Sequence, residues 1–407
     1  MRLGYVLTAA TIALVAGYSL PVMAQQASDK PAAMQLTEQQ QGGLTLNAAI
    51  ARALKNAPVL QASSARASAA MAARKQAGAL PNPELSIEAE NIMGDGPYDG
   101  FDNADITYGV SQLVELPGKR GNRIKIADAD SVKSHLSGDV TRLDLIRDVT
   151  IAYVQLLAAQ QEVMIREEEI KLTNSVFNSV AARVEAGKEP AIQRNKAKIA
   201  QASSQIALDR ARRGLQAQKQ VLVSLMGGGD DDFAVVSDSL PRIEEPAALT
   251  VYATRLGNAL DIKGFDAEVK RAEAAVSLEK ASSVPDPTFT LGVRDIRGDN
   301  SQAFIAGVSF PIPVFNLNRG NIQRAGQELT AAVSDRNAAE LVLAATLAQL
   351  HGNLVNAYSE ANTLQTEVIG GAQEAFSFAK QGYEAGKFGY LEVLDAQRTL
   401  FETRQQL

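Results

Sequence analysis

Glu185-Ala186-Gly187-Lys188 recurs as Glu384-Ala385-Gly386-Lys387, and the reading of this pair decides the fold. Each copy closes a long, nearly proline-free helical pattern and precedes another. A glycine just past a helix end takes the left-handed conformation that caps free carbonyls. Pro190 follows the first copy, and proline suits the first turn of a new helix. Each copy therefore reads as the tip of a helical hairpin. Two hairpins in matching places point to an internal duplication.

Reading backward from the first tip, the chain from Asn122 to Ala186 has no proline and Gly138 as its one internal glycine. Leu136, Val140, Leu143, Ile146, Val149, Tyr153 and Leu156 recur at threes and fours, and Val163, Ile170 and Phe177 continue at sevens. This is a coiled-coil stripe. It predicts a long helix over 121–186, on the order of 100 Å in length. A return helix follows to Met226, and its counterpart to the second tip is a helix over 320–385. The second return helix ends at Leu407, far sooner than the first, so the repeat plan implies a shortened last helix.

Before each long helix the period changes from helical to alternating. Leu85, Ile87 and Ala89 alternate with Ser86, Glu88 and Glu90; Ile106, Tyr108 and Val110 alternate with Thr107, Gly109 and Ser111. That is an amphipathic strand hairpin over 84–115. A second is expected over 287–313, from Phe289, Leu291 and Val293 to Phe304, Ala306 and Val308. Flanking motifs match in order: Pro81-Asn82-Pro83 with Pro285-Asp286-Pro287, Gly109-Val110-Ser111 with Gly307-Val308-Ser309, and Arg120-Gly121-Asn122 with Arg319-Gly320-Asn321. Each strand is about the ten residues a tilted strand needs to cross a bilayer. The first repeat thus covers 44–227, with a bend expected near Asn56 and Pro58. A linker covers 228–247 and the second repeat 248–407, opening with a helix from about Leu249 to Ser283.

Arg2, the apolar run from Val6 to Gly17, and Val22-Met23-Ala24 predict a secretory signal peptide over 1–24. A flexible leader is expected over 25–43. No later stretch reads as long and apolar enough for a transmembrane helix. Composition narrows the function. Of 407 residues, 46% are hydrophobic but only 5% aromatic, with no Trp, which suits long packed helices. A net charge of −6 argues against a nucleic-acid surface. The absence of cysteine excludes disulfides, thiolate metal sites and an N-terminal lipidated cysteine. His135 and His351 each stand alone in a helical pattern and read as solvated or packed. Asp230-Asp231-Asp232 follows three glycines and reads as a solvated linker rather than a cation site. No hydrolase, metalloprotease or phosphate-loop motif is present, so the chain is read as no enzyme, with no catalytic residues, metal site or cofactor.

The fold class expected is mainly α with a membrane β-barrel part. Two strand hairpins cannot close a barrel, and an open edge in lipid leaves backbone groups unsatisfied. Three chains pooling their strands make a shared twelve-stranded barrel, within the known range. The long antiparallel helices form an α-barrel below it. The alternative is a non-porous periplasmic coiled coil with a small soluble sheet.

This repeat plan resembles the TolC family of outer-membrane efflux proteins over nearly the whole mature chain. Val114-Glu115-Leu116-Pro117-Gly118-Lys119-Arg120 and Pro311-Ile312-Pro313-Val314-Phe315-Asn316 look most like its heavy-metal, CzcC-like branch. The resemblance implies a homotrimer in the outer membrane, with helices reaching into the periplasm. Its partners would be a periplasmic adaptor protein, an inner-membrane pump of the RND type, and outer-membrane lipid. The function implied is passive export, of heavy-metal cations in this branch; the alternative cargo is drugs or secreted polypeptides. Gly187, Lys188, Gly386 and Lys387 would form the adaptor-docking tips. Glu392 and Asp395 would line the periplasmic entrance, and Tyr383 would help hold it shut. Gln193 and Phe388 depart from the family's acid and arginine, which points to closure by packing rather than by a salt-bridge latch. Lacking Trp, the membrane girdle would use Tyr98, Phe101, Tyr108, Phe289, Phe304, Phe310 and Phe315.

Overall fold

In the computed structural model, described for residues 43–229, 233, 236–238 and 243–407, helix α1 (Leu46–Asn56) is followed directly by α2 (Pro58–Ala77). Thr45 caps α1 by accepting a bond from the Ala48 amide, and Ala57 is extended because a residue before proline avoids the helical region. The expected signal peptide, nearly all of the leader, and Asp230–Asp232 lie outside the described residues.

The chain then runs through β1 (Glu84–Glu90), β2 (Asp105–Leu113) and the 67-residue α3 (Lys119–Glu185). α4 (Ala191–Leu225) returns along α3. In the second half the helical pattern expected from Leu249 to Ser283 is broken into α5 (Leu249–Ala253), a short 3₁₀ turn, and α6 (Leu260–Ser282). Gly257 and Asn258 lie in that turn, both poor helix formers. β3 (Thr288–Ile296) and β4 (Ser301–Ser309) follow. The second long helix is α7 (Arg319–Thr363), a π-helical turn (Leu364–Val368), and α8 (Ile369–Glu384). The π turn is a departure from the uninterrupted helix that periodicity suggested. α9 (Tyr390–Gln406) closes the chain with 17 residues, against 35 in α4.

The four strands make one antiparallel sheet in the order β1-β2-β3-β4, so the two hairpins pair with each other through β2 and β3. The register aligns apolar residues into rows across all four strands. Ile87, Tyr108, Val293 and Phe304 form one row, and Leu85, Val110, Leu291 and Ala306 the next. The opposite face is polar: Arg294 donates to Thr107 Oγ1 at 3.0 Å and pairs with Glu90 at 3.0 Å. Most of the apolar rows are open: Leu85 is 75% exposed and Phe304 92%. β1 and β4 are both edges.

One core lies where α1 meets α3 and α4, around Ala49, Ala53, Val149, Tyr153, Leu222 and Met226. The Tyr153 hydroxyl lies 2.8 Å from the Leu44 carbonyl and 2.7 Å from Asp238 Oδ2, and Asp238 accepts the Leu46 amide at 3.0 Å. Leu44 also bridges to Val236 in parallel. A second core lies at the hairpin tips, where Val176, Val180 and Ala197 meet Ala379, Tyr383, Tyr390 and Val393.

One expectation is corrected. The helix Arg319–Glu384 is long and apolar enough to cross a membrane by length and composition alone. The physical reason is that its middle is rich in Ala, Leu and Val whose side chains find no cover within the chain: Leu341, Val342 and Leu350 are 73%, 65% and 60% exposed.

Candidate functional site

Both tips end their helices in the same way. Gly187 has φ +70° and Gly386 φ +72°, the left-handed region in which a side chain would be strained. The Lys188 amide donates to the Arg183 carbonyl at 2.9 Å and that of Gly187 to Val184 at 3.0 Å. In the second tip Lys387 donates to Gly382 at 2.8 Å and Gly386 to Tyr383 at 2.9 Å. This paired bonding is a Schellman cap. It turns the chain within a few residues and leaves Gly187, Lys188, Gly386 and Lys387 at exposed turns.

The two tips touch. Arg183, one turn before the first tip, places its guanidinium 4.8 Å from the centre of the Tyr383 ring. Its Nη1 donates to the Tyr383 carbonyl at 3.3 Å, and Nε lies 3.8 Å from Glu189 Oε1. Tyr383 is 3% exposed, and its ring meets that of Tyr390 edge-on, with centroids 6.4 Å apart. Burial raises the Tyr383 phenol above its ordinary pKa; nearby Glu189 raises it further and Arg183 opposes this, so the phenol stays neutral. Its hydroxyl, Arg183 Nε and Gln193 Oε1 are buried with no hydrogen-bond partner. The contact is thus built on ring packing and a cation over an aromatic face, with spare polar atoms beside it. Phe388, where the family resemblance expects an arginine, lays its ring over Gly382, in a notch that a side chain there would fill.

Glu392 and Asp395 stand in the first turns of α9, on its exposed face. Among the described residues neither makes an ion pair, and with Leu391, Leu394 and Arg398 they line an open cleft of about 450 Å³. Their helix turns its other face inward: Tyr390, Val393, Gln397, Leu400 and Phe401 are buried. The structure therefore does not bring the three expected entrance residues together. Tyr383 belongs to the packed seam between the hairpins, whereas the two carboxylates point away from it.

Further up α9 a buried polar layer ties the second hairpin to the first. Gln397 donates to Thr173 Oγ1 at 2.9 Å, and Thr173 lies 3.3 Å from Ser204 on α4. Arg404 pairs with Glu168 at 2.8 Å. Sequence reasoning missed Arg183 and Gln397. Arg183 had a signal: superposing the tips sets it opposite Gly382, and Tyr383 opposite Val184. Positions that break a repeat are those with a separate task. Gln397 had none, since a polar residue on a helix reads as solvated. Among the described residues no cluster of three or more His, Asp or Glu is arranged to hold a metal ion.

Comparison with known proteins bears on this geometry. The family model "Outer membrane efflux protein" matches residues 49–228 and 251–407. The cobalt-zinc-cadmium resistance protein CzcC of Cupriavidus metallidurans is 30% identical over 89% of this chain and 85% of its own length. The nickel and cobalt resistance protein CnrC of the same organism is 27% identical over 77% of this chain and 71% of its own. Among solved structures, the outer membrane protein VceC of Vibrio cholerae superposes with a TM-score of 0.71 at 22% identity, covering 89% of this chain and 91% of that one.

Proposed function

Because the chain belongs to the outer membrane efflux protein family, and within it is of the kind found in heavy-metal resistance proteins, we propose that it is the exit duct of a tripartite pump. In this reading it carries heavy-metal cations passively across the outer membrane, supplied by an inner-membrane pump of the RND type through a periplasmic adaptor. It does no chemistry on its cargo. Family membership overturns the alternative of a non-porous coiled coil.

One observation carries the reading. The sheet has a single apolar face and two unpaired edges, while both long helices start from its same end. In lipid each unsatisfied edge group costs several kcal/mol, so such a sheet needs neighbours on both sides. Three chains supply them, giving the twelve-stranded barrel, and their helices continue as a tube. The uncovered apolar side chains of α7 support this, because neighbouring helices of the tube would bury them. The edge-free barrel leaves the polar strand face lining the bore.

At the far end of the tube the tips form the adaptor-docking surface. Glu392 and Asp395, unpaired and exposed in each chain, gather around the threefold axis as an acidic ring that attracts cations and repels anions. The seam of Arg183 and Tyr383 holds the entrance in its resting state.

The test is growth of a deletion strain, complemented with the full-length chain, on zinc, cobalt, cadmium, copper and silver, and in parallel on dyes and antibiotics. Sensitivity confined to metals is expected. Sensitivity confined to drugs or detergents would keep the duct and discard the metal cargo.

A further inference from the structure

Where the sheet gives way to the helices, the chain builds a cleft that export does not require. Its volume is about 400 Å³, and it is lined by Leu116, Val284, Pro285, Pro287, Phe310 and Ile312 with two further prolines. That volume falls within the roughly 300–1,000 Å³ range of small-molecule sites. The lining is almost wholly carbon. It is also held in place. Lys119 and Asp286 form an ion pair at 2.7 Å, with side chains only 11% and 15% exposed. Lys119 also donates to the Val284 carbonyl at 2.6 Å, Asp286 accepts the Leu116 amide at 2.8 Å, and the Val114 amide donates to Pro287 at 2.9 Å. Proline fixes four of the backbone angles around the rim. The cleft is therefore preformed rather than a gap between mobile loops.

Its position identifies the occupant. Phe310 and Ile312 continue the alternation of Phe304, Ala306 and Val308, the apolar side of the sheet. Nine-residue strands at 3.3 Å per residue, tilted as barrel strands are, rise about 20–25 Å, close to the height of an outer-membrane apolar band. The cleft thus lies at the boundary between acyl chains and headgroups. Phe310, Ile312 and Phe315 are 63%, 75% and 98% exposed beside it. The next charges in the chain are cationic. Arg319 opens α7 just after this segment, is exposed, and among the described residues its side chain makes no hydrogen bond or ion pair; Arg120, the second residue of α3, donates to the Gly78 carbonyl at 2.7 Å and meets no carboxylate. Lys119 is engaged with Asp286 and is not available.

We infer that the cleft between Pro285–Pro287 and Phe310–Pro313 is a binding site for a phospholipid of the periplasmic leaflet, its acyl chain in the cleft and its anionic headgroup on Arg319. The inference rests on the reading that the apolar face of the sheet meets lipid. A bound lipid here fills the joint at which strands become helices, and so stiffens the coupling between barrel and tube.

The test is native mass spectrometry of the purified full-length protein, titrated with palmitoyl-oleoyl phosphatidylglycerol or phosphatidylethanolamine. Wild type, Arg319→Gln and Ile312→Ser are compared, both substitutions being on exposed side chains. Wild type is expected to retain up to one phosphatidylglycerol per chain in preference to phosphatidylethanolamine. Arg319→Gln should weaken phosphatidylglycerol about fivefold and erase the preference, as loss of one cation beside an anionic lipid predicts. Ile312→Ser should weaken both lipids. Equal retention by all three proteins would mean ordinary annular lipid and overturn the inference. So would loss of trimer mass in Ile312→Ser with lipid retention unchanged, because a second copy would then fill the cleft. Conductance in planar bilayers separates the two readings: channels with variant-independent lipid binding remove the cleft site and leave the duct, whereas a wild-type protein that never conducts removes the duct itself.

Discussion

At the scale of the residue, Tyr383 acts in the seam through its ring rather than its hydroxyl. The ring is buried against Tyr390 and under the Arg183 guanidinium, while the hydroxyl has no partner. A buried hydroxyl without a bond is a cost, so Tyr383→Phe should leave the protein as stable or slightly more stable. Tyr383→Ala should destabilise it by about 3–5 kcal/mol through the cavity left behind. Thermal unfolding of the two variants checks the order, and a large loss in Tyr383→Phe would refute ring-based packing. Arg183→Gln removes the cation from the ring face, worth about 1 kcal/mol. It should shift the resting entrance toward opening about fivefold, read as more frequent conducting events in planar bilayers. An unchanged record would remove Arg183 from the proposed closure of the entrance.

At the scale of the element, the docking of α1 depends on charge. The Asp238 carboxyl is held below its ordinary pKa, first by the Leu46 amide at the head of α1 and then by the Tyr153 hydroxyl. A depressed carboxyl contributes stability that is fully present above its unfolded value, near 4, and is lost as pH falls through the lower folded value. Protection of the α1 amides in hydrogen exchange, corrected for intrinsic rates, should therefore be flat from neutral pH down to about 5 and fall below about 4. Asp238→Asn should abolish that fall; if the fall persists, another group governs it. The long helices show a different kind of dependence. α3 runs unbroken for 67 residues, yet the equivalent rod relaxes into a π turn at Leu364–Val368. A π turn widens the helix locally and shifts the facing of the residues beyond it. Here that is α8, which carries Tyr383 to the seam.

At the scale of the whole molecule, the electrostatics of the proposed entrance belong to the assembly. In one chain Glu392 and Asp395 are separate solvated carboxylates; in the proposed trimer they would gather around the threefold axis as a single concentrated charge. Glu392→Gln with Asp395→Asn should therefore reduce cation-over-anion selectivity of single channels while leaving trimer formation intact. Reversal potentials in asymmetric salt measure this, and an undiminished preference would remove both residues from the mechanism. Arg398 lies on the same helix a turn beyond Asp395, but it is engaged with Glu402 at 2.6 Å. It therefore offsets little of the ring.

The amino-acid sequence alone carried the periodicities. Alternation marked four strands and the threes and fours marked the rods, because burial on one face leaves a trace at every turn. Gly187 and Gly386 were legible as caps for the same local reason: a left-handed backbone favours glycine, with asparagine as the substitute seen at Asn91, Asn300 and Asn318. Membership of an efflux family was legible too, from the repeat plan and from the strand-end motifs Val114–Arg120 and Pro311–Asn316. Three things were decided only by tertiary structure. The pairing of β2 with β3 joins segments far apart in the chain and leaves no local signature. The partition of Tyr383 from Glu392 and Asp395 depends on which face of α9 finds a neighbour. The grip of Arg183 depends on two tips meeting in space. A sequence records what each residue does to its own turn, whereas contacts between distant turns arise only when the fold brings them together.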